Sequence, residues 1–279
     1  MLTVNPGGGT LEIVEISGSG LSAAVGSTVA FPAGGNRDST FSGAYASAGT
    51  TNFTGGRVSF NGPLTSTGTL NVNGNTVTAR AFPINAGTLN IASGATFSTD
   101  NHDLTNAATG RIQGAGTLAL GTGTLTNLGI VAPGNSPGTL AIGGNFHQGA
   151  GGRFAAELGG TGAGQFDVLD VSGTASLGGT LELSLVDNYL GTVGDRFNLI
   201  HAGVLTGSFA AIQVPGGYAL SPTYLPTIMS VNMDTVGSVL GTTVLGASMN
   251  SVVLEMSQLG FGGLSFPGFG LPPLQPPAE

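Results

Sequence analysis

The sequence predicts an all-β protein, wound as a β-solenoid with a short C-terminal segment that does not repeat. A phrase of Gly, Thr, Leu, any residue and an aliphatic residue recurs along the chain, and successive copies from Gly68 to Gly179 begin 19, 29, 22 and 41 residues apart. Most of these gaps are close to one or two units of about 20 residues, the length of one solenoid repeat. The copies occupy residues 9–13, 68–72, 87–91, 116–120, 138–142 and 179–183.

Each copy of the phrase predicts a β-strand. Within residues 68–72, two aliphatic residues alternate with Thr69 and Asn71, which is the two-residue period of a strand. From residue 2 to about residue 214, similar short runs are separated by turn-forming residues, and no amphipathic helical pattern interrupts them. We therefore expect these aliphatic side chains to point into the solenoid: Leu70, Val72, Leu89, Ile91, Leu118, Leu120, Leu140, Ile142, Val168, Val171, Leu181 and Leu183.

The composition supports a folded chain with a large apolar core. Hydrophobic residues make up 40% of the chain and charged residues only 7%, so there is ample apolar surface to bury. The 51 Gly residues are expected at tight corners between strands, where a positive φ excludes most side chains. Asn71, Asn73, Asn75 and Asn90 are expected at such corners or in ladders of stacked side chains, with a sugar-binding groove as the alternative.

The chain divides into three predicted segments. The parallel solenoid is expected to span residues 1–234 and to finish in closing strands near residues 218–224 and 228–233. Residues 235–260 are apolar and rich in small residues, so we expect them to cap the solenoid or to act as a linker, with a membrane segment as the alternative. Residues 261–279 are rich in Pro and Gly and are expected to be irregular.

The charge of the chain argues against nucleic acid as a partner. The net charge is −8, and the six basic residues are all Arg and are scattered, so no basic stripe could displace counterions from phosphates. Cysteine is absent, which fits a reducing compartment and an exported chain equally well. Residues 1–6 lack the basic and apolar runs of a signal peptide, so we expect a mature or partial chain, or one not exported by that route.

One stretch of the chain resembles a known protein family. Residues 133–139 read Pro-Gly-Asn-Ser-Pro-Gly-Thr, and strand-like runs follow at residues 143–148, 151–158, 166–173 and 178–185. In order and spacing this stretch resembles the C-terminal part of the β-helical passenger domain of bacterial autotransporters. The resemblance covers about residues 90–233. It implies a right-handed parallel β-helix that is exposed on, or released from, a cell surface.

The first function class that we expect is a non-enzymatic β-helical scaffold, similar to an adhesin-like passenger module. Its expected location is extracellular or on the bacterial outer-membrane surface. Its expected partners are a receptor or glycan on a host or neighbouring cell, and further copies of the chain bound through the C-terminal segment or the solenoid ends. No catalytic residue, metal ion or cofactor is expected for this class.

The alternative is a carbohydrate-active β-helix enzyme, a polysaccharide hydrolase or lyase. Its candidate site is Asp100, His102 and Asp103, which share one predicted loop. Asp167 and Asp170 lie three residues apart on a predicted strand, so we expect them to face opposite ways and to serve turn bonding and loop solvation. An enzyme should present a cleft with at least two acids from neighbouring coils, whereas a scaffold should present Thr, Ser, Asn and Gly.

Overall fold

The computed structural model describes residues 2–4, 10–12, 20–31, 38–74 and 76–236. Every regular element in these ranges is a β-strand, and no helix occurs among them. The strands stack on one another through successive circuits of the chain, which we call coils. The predicted all-β solenoid is therefore confirmed.

The described residues form twenty-five strands. In chain order they are β1 (Leu2–Val4), β2 (Thr10–Glu12), β3 (Leu21–Ala23), β4 (Thr28–Phe31), β5 (Asp38–Phe41), β6 (Tyr45–Ser47), β7 (Thr50–Phe53), β8 (Arg57–Ser66), β9 (Thr69–Val72), β10 (Thr76–Ala81), β11 (Ile84–Asn85), β12 (Thr88–Ile91), β13 (Thr96–Ser98), β14 (Leu104–Asn106), β15 (Arg111–Gly114), β16 (Thr117–Asn127), β17 (Ile130–Pro133), β18 (Thr139–Gln148), β19 (Arg153–Leu158), β20 (Val168–Leu177), β21 (Thr180–Leu185), β22 (Arg196–Gly207), β23 (Ala211–Gln213), β24 (Ala219–Tyr224) and β25 (Ile228–Thr235).

The strands belong to two sheets that each coil visits in turn. Sheet B has ten strands in the order β2-β4-β7-β9-β12-β15-β17-β19-β21-β23, and every neighbouring pair is parallel. Sheet A has fifteen strands and is parallel as far as β22. Because consecutive members of each sheet are separated by a visit to the other sheet, the chain winds continuously and buries its apolar side chains between the two sheets.

Sheet A is bent along its length, so one coil has three straight runs. The first half of β16 pairs with β13 and its second half with β14. The bend falls between Ala119 and Thr124, where the register with β18 shifts. Gly121 lies within the bend at a φ of +60°, a conformation that suits glycine and few other residues.

The core consists of the side chains on the inward column of each strand. All but one of the side chains that the sequence predicted to be inward are buried. The exception is Val168, which is half-buried, whereas Leu169 is fully buried beside Val171. The prediction for Val168 was wrong because residues three apart on a regular strand face opposite sides, so Val168 and Val171 could not both point inward.

The repeated phrase does not mark one fixed position in the coil. The copies at residues 68–72, 87–91 and 179–183 form strands of sheet B, but those at residues 116–120 and 138–142 begin strands of sheet A. The phrase therefore marks the start of a strand after a corner, on either sheet. Register pairs show the true coil length, which is 19 residues from Thr69 to Thr88.

In the copies at residues 68–72 and 87–91, the glycine of the phrase is required by close stacking rather than by its φ. A Cβ on Gly87 would overlap the carbonyl oxygen of Gly68 on the preceding coil, and a Cβ on Gly68 would overlap that of Gly49. Neither Gly68 nor Gly87 has a positive φ. The expected corner role is correct for other glycines, but at these positions the backbone of the next coil occupies the space of a side chain.

A ladder of buried amide side chains runs through one corner of the coils. Asn85 donates from Nδ2 to Oδ1 of Asn106 at 2.8 Å, and Asn106 donates in the same way to Asn127 at 2.8 Å. Asn127 completes the series by donating to Oε1 of Gln148 at 2.8 Å. All four side chains are at most 1% exposed. An amide suits this column because it both donates and accepts, so each member satisfies its neighbours.

A second, outward-facing ladder contains two of the four asparagines singled out in the sequence. Asn71 donates to Asn52 at 2.8 Å, and Asn90 donates to Asn71 at 3.3 Å. Asn73 lies in the exposed turn after β9, and Asn75 lies outside the described residues. The ladder interpretation is therefore confirmed for Asn71 and Asn90.

The parallel stack of sheet A ends in an antiparallel hairpin. Strand β25 pairs antiparallel with β22, and β24 then pairs antiparallel with β25. This confirms the predicted closing strands. Strands β24 and β25 thereby cover the edge of β22 on sheet A. Residues 237–279 lie outside the described residues, so the capping role of residues 235–260 stays a prediction.

Replacing Asn106 by Ala should destabilise the fold more than the same change in the outward ladder. The variant Asn106→Ala loses hydrogen bonds to two coils and leaves a small cavity, which we expect to cost about 2–3 kcal/mol in the free energy of unfolding. The matched control Asn71→Ala should cost less than about 1 kcal/mol, because water replaces the lost bonds. Urea titration followed by circular dichroism measures both values. Equal losses would show that the buried ladder has no special role.

Candidate functional site

The sequence-predicted carbohydrate site, Asp100, His102 and Asp103, forms the corner between β13 and β14. Asp100 and its neighbour Asn101 adopt left-handed backbone conformations, with φ of 54° and 69°. The Asp100 carboxylate accepts a hydrogen bond from Arg80 Nε at 2.6 Å on the neighbouring coil. The backbone turn and the ion pair therefore explain why an acidic residue stands at this position.

The other two side chains of this corner also have structural partners. His102 Nδ1 lies 2.8 Å from the carbonyl oxygen of Thr99. Asp103 Oδ1 accepts a hydrogen bond from the backbone N–H of Thr124 at 2.8 Å, which ties the corner to the next coil. No cluster of three potential metal ligands exists here or elsewhere in the described ranges. A carbohydrate site at this corner stays a prediction.

Asp167 and Asp170 are not a catalytic pair. Asp170 is exposed on the outer face of β20, where it is paired in register with the exposed His201 of β22. Asp167 is 1% exposed. The expectation that the two carboxylates face apart is confirmed, and so is turn bonding for Asp167, which accepts the N–H of Gly138. Loop solvation was wrong for Asp167, because its side chain is buried.

A groove, which we call the sheet B groove, crosses the outer face of strands β15, β17, β19 and β21. It has a volume of about 460 Å³ and is bounded on one side by the turn at residues 133–136. That volume lies within the range of small-molecule sites. The groove is the candidate functional site because it collects charged side chains from strands β15, β19 and β21 at one concave surface.

The groove exists because small side chains interrupt a column of long ones. On the outer face of sheet B, the column that carries Asn71, Asn90 and Gln113 continues through Ala132 and Ala155 before it reaches Glu182. The two alanine methyl groups form the floor of the groove. Gln113 and Glu182 lie in the same column and close its two ends.

The walls of the groove carry both signs of charge. Arg153 Nη1 forms an ion pair with Glu182 Oε2 at 3.2 Å, across β19 and β21. Arg111 donates from Nε to the amide oxygen of Gln113 on its own strand. Glu157 lies on the opposite wall, and its side chain is half-buried. Positive and negative groups therefore face one another across an uncharged floor.

Asp167 anchors the turn that forms one wall. Its Oδ1 accepts the backbone N–H of Gly138 at 2.8 Å, and its Oδ2 accepts that of Glu157 at 2.9 Å. Burial raises the pKa of Asp167 to about 7; the negative charge of Glu157 adds to the rise, and the two backbone hydrogen bonds oppose it. The carboxyl group thus joins the turn between β17 and β18, where Gly138 lies 29 residues before Asp167, to strand β19.

Comparison with known proteins gives no further identification of the chain. No protein-family model matches it, and no curated protein matches it. Within the described ranges, no helix has the length and apolar character needed to cross a membrane. The membrane alternative for the segment after residue 235 falls almost wholly outside the described residues.

The stability of the protein should fall as the pH rises from about 4 to about 7, in proportion to the ionisation of Asp167. The folded-state pKa is raised from 3.8 to about 7, so the folded protein holds its proton more tightly than the unfolded chain does. This contribution is complete below pH 4 and is lost as the pH passes through 7. We expect Asp167→Asn to remove about 2–4 kcal/mol of this pH dependence, measured by urea unfolding at intervals of pH.

The matched control for this experiment is Asp170→Asn, an exposed carboxylate three residues further along the chain. Its pH profile should follow that of the unaltered protein. If Asp167→Asn also keeps the original profile, the buried carboxyl group does not govern the stability of the groove wall between pH 4 and 7.

Proposed function

We propose that this chain is a non-enzymatic extracellular or cell-surface scaffold, an adhesin-like module of the passenger type. The observation that supports this most is the continuous parallel stack from β1 to β22, which forms a regular surface from a single winding. Such a stack presents the same columns of side chains coil after coil. A repeated surface of this kind suits display and attachment better than it suits chemistry at one point.

The outer face of sheet B shows this regularity in its first half. Register pairs place Thr28, Thr50, Thr69 and Thr88 in one outward column. The adjacent outward column holds the Asn71 ladder. These uncharged polar side chains are the kind that a scaffold was expected to present, and they offer neither an acid nor a base to a bound substrate.

The resemblance to autotransporter passenger domains supports a surface location for the scaffold. The Pro-Gly-Asn-Ser-Pro-Gly-Thr stretch that carries the resemblance lies at the turn between β17 and β18 and is tied to β19 by Asp167. The hydrogen bonds of Asp167 therefore give this stretch a structural role in the parallel solenoid. A scaffold displayed in this way would bind partners on other cells or other copies of the chain.

A specific observation favours a carbohydrate-active enzyme as the second candidate. Glu157 and Glu182 reach the sheet B groove from the neighbouring strands β19 and β21, and the buried Asp167 stands beside Glu157. Two acids from adjacent coils in one cleft are the feature that separates an enzyme from a plain scaffold. A carboxyl group with a raised pKa beside a second carboxylate is the arrangement used by general acids in glycoside cleavage.

Surface display can be tested in the organism that carries the gene. Antibodies raised against the purified protein should label intact cells, because the proposed scaffold lies outside the outer barrier of the cell. Flow cytometry of intact and permeabilised cells measures the difference. Labelling that is seen only after permeabilisation, with none in the culture medium, would contradict the proposal.

Catalysis can be tested with the purified chain and a panel of neutral and acidic polysaccharides. The scaffold proposal predicts no release of reducing ends and no unsaturated products above the buffer background. If products appear, the enzyme candidate requires that Glu157→Gln abolish them and that Asp38→Asn, which changes an exposed acid on sheet A, leave them intact. Activity with that pattern would replace the scaffold proposal by the enzyme.

A further inference from the structure

The sheet B groove contains one cation that no acid neutralises. Arg153 is paired with Glu182, but the only hydrogen-bond partner of the Arg111 side chain among the described residues is the neutral amide of Gln113. That bond uses Nε, so both terminal nitrogens of the guanidinium group have no hydrogen-bond partner among the described residues, and Arg111 lines the groove. A guanidinium group in this state is a planar, two-pronged donor that matches a carboxylate.

The opposite wall carries a carboxylate and neutral polar side chains, and no cation from the described part of the chain. Glu157 has no partner for its carboxylate among the described residues, and the side chains of Asn135 and Ser136 are exposed at the rim. A carboxylate and two neutral polar groups are suited to bind hydroxyl groups. The groove therefore fits a ligand that has an anionic group at one end and hydroxyl groups toward the other.

The position of the groove within the sheet disfavours a peptide ligand. Strands β15, β17, β19 and β21 are interior strands, and each has a parallel partner on both sides. An extended peptide binds by adding a strand to a free sheet edge, where its backbone groups are paired. Across the face of interior strands, a peptide would leave most of its backbone groups without partners, whereas the hydroxyls of a sugar can bond to side chains.

We propose that the sheet B groove binds an acidic oligosaccharide, with a sugar carboxylate on Arg111 and sugar hydroxyls on Glu157, Asn135 and Ser136. The four strands span about 14 Å along the solenoid axis, since neighbouring strands lie about 4.8 Å apart. The ligand lies over the alanine floor, where no long side chain blocks it. This inference extends the proposed scaffold function by giving one face a ligand, and surface display can hold even if this binding fails.

The test is isothermal titration calorimetry of the full chain with three probes of equal length: a uronic acid oligosaccharide, a neutral oligosaccharide and a sulfated one. The uronic acid probe should bind, and the neutral probe should bind at least about tenfold more weakly, because it lacks the partner of Arg111. Arg111→Gln should weaken binding of the uronic acid probe by about tenfold or more. The matched control Arg57→Gln, at an exposed arginine of sheet A, should leave the affinity unchanged.

A second variant keeps the test decisive if Arg111→Gln fails to fold. Ala155→Gln places in the groove floor a side chain that the same column already carries at Gln113, so the strand should still fold. It should nevertheless block the groove and abolish binding of the uronic acid probe. Both variants are checked by circular dichroism before titration.

Several results would overturn the proposal. These are no binding of the uronic acid probe, equal affinity for the neutral probe, equal losses in Arg57→Gln and Arg111→Gln, or unchanged affinity in Ala155→Gln. Sulfated and uronic acid probes of equal affinity would show an unselective anion site rather than a site for a sugar carboxylate. An acidic peptide of similar length that binds more tightly than any sugar would assign the groove to a different ligand.

Discussion

The structure depends on the in-register pairing of parallel strands from one coil to the next. This pairing places each side chain directly against the residue of the same column in the neighbouring coil. A column must therefore be filled by side chains that can pack against, or hydrogen-bond to, similar side chains. Phe31 stacks on Phe53 at 4.9 Å between ring centroids, and the two are a register pair of β4 and β7. The buried amide ladder obeys the same rule with polar groups.

The same constraint explains which parts of the fold could be predicted from the sequence. Alternation of aliphatic and polar residues identified strands, and eleven of the twelve side chains named as inward are buried, because burial on one face imposes a two-residue period. It could not assign each strand to a sheet, since both sheets begin strands with the same glycine phrase. Nor did it single out Asn106 or Asn127, whose buried ladder is visible only once the coils are aligned.

The sheet B groove was beyond sequence reasoning for a physical reason. Its floor and walls come from residues that are one to three coils apart in the chain and are brought together only by register. Arg153 and Glu182 are separated by 29 residues, and their ion pair depends on the length of the coil between them. Asp167 follows an aromatic residue and precedes an apolar run, and nothing in that short segment indicates the turn at residues 133–138 to which it is bonded.

Coil length is greatest toward the C-terminal end of the described residues. Register pairs are 19 residues apart at Thr69 and Thr88, but 27 apart at Arg153 and Thr180, and 31 apart at Thr180 and Ala211. The shortest coils use nearly all their residues in strands and corners. The longer coils have residues to spare, and these form the connections at residues 159–167 and 186–195 between strands.

Because β24 and β25 close sheet A in antiparallel fashion, the two ends of this sheet present different hydrogen-bonding edges. A parallel stack left open offers the next chain the same ladder that each coil offers its successor, so such molecules could polymerise head to tail without limit. Here β25 runs in the opposite direction, and the outermost strand, β24, is six residues long and contains Pro222, which lacks an N–H group. On this sheet, the parallel ladder therefore ends within the chain itself.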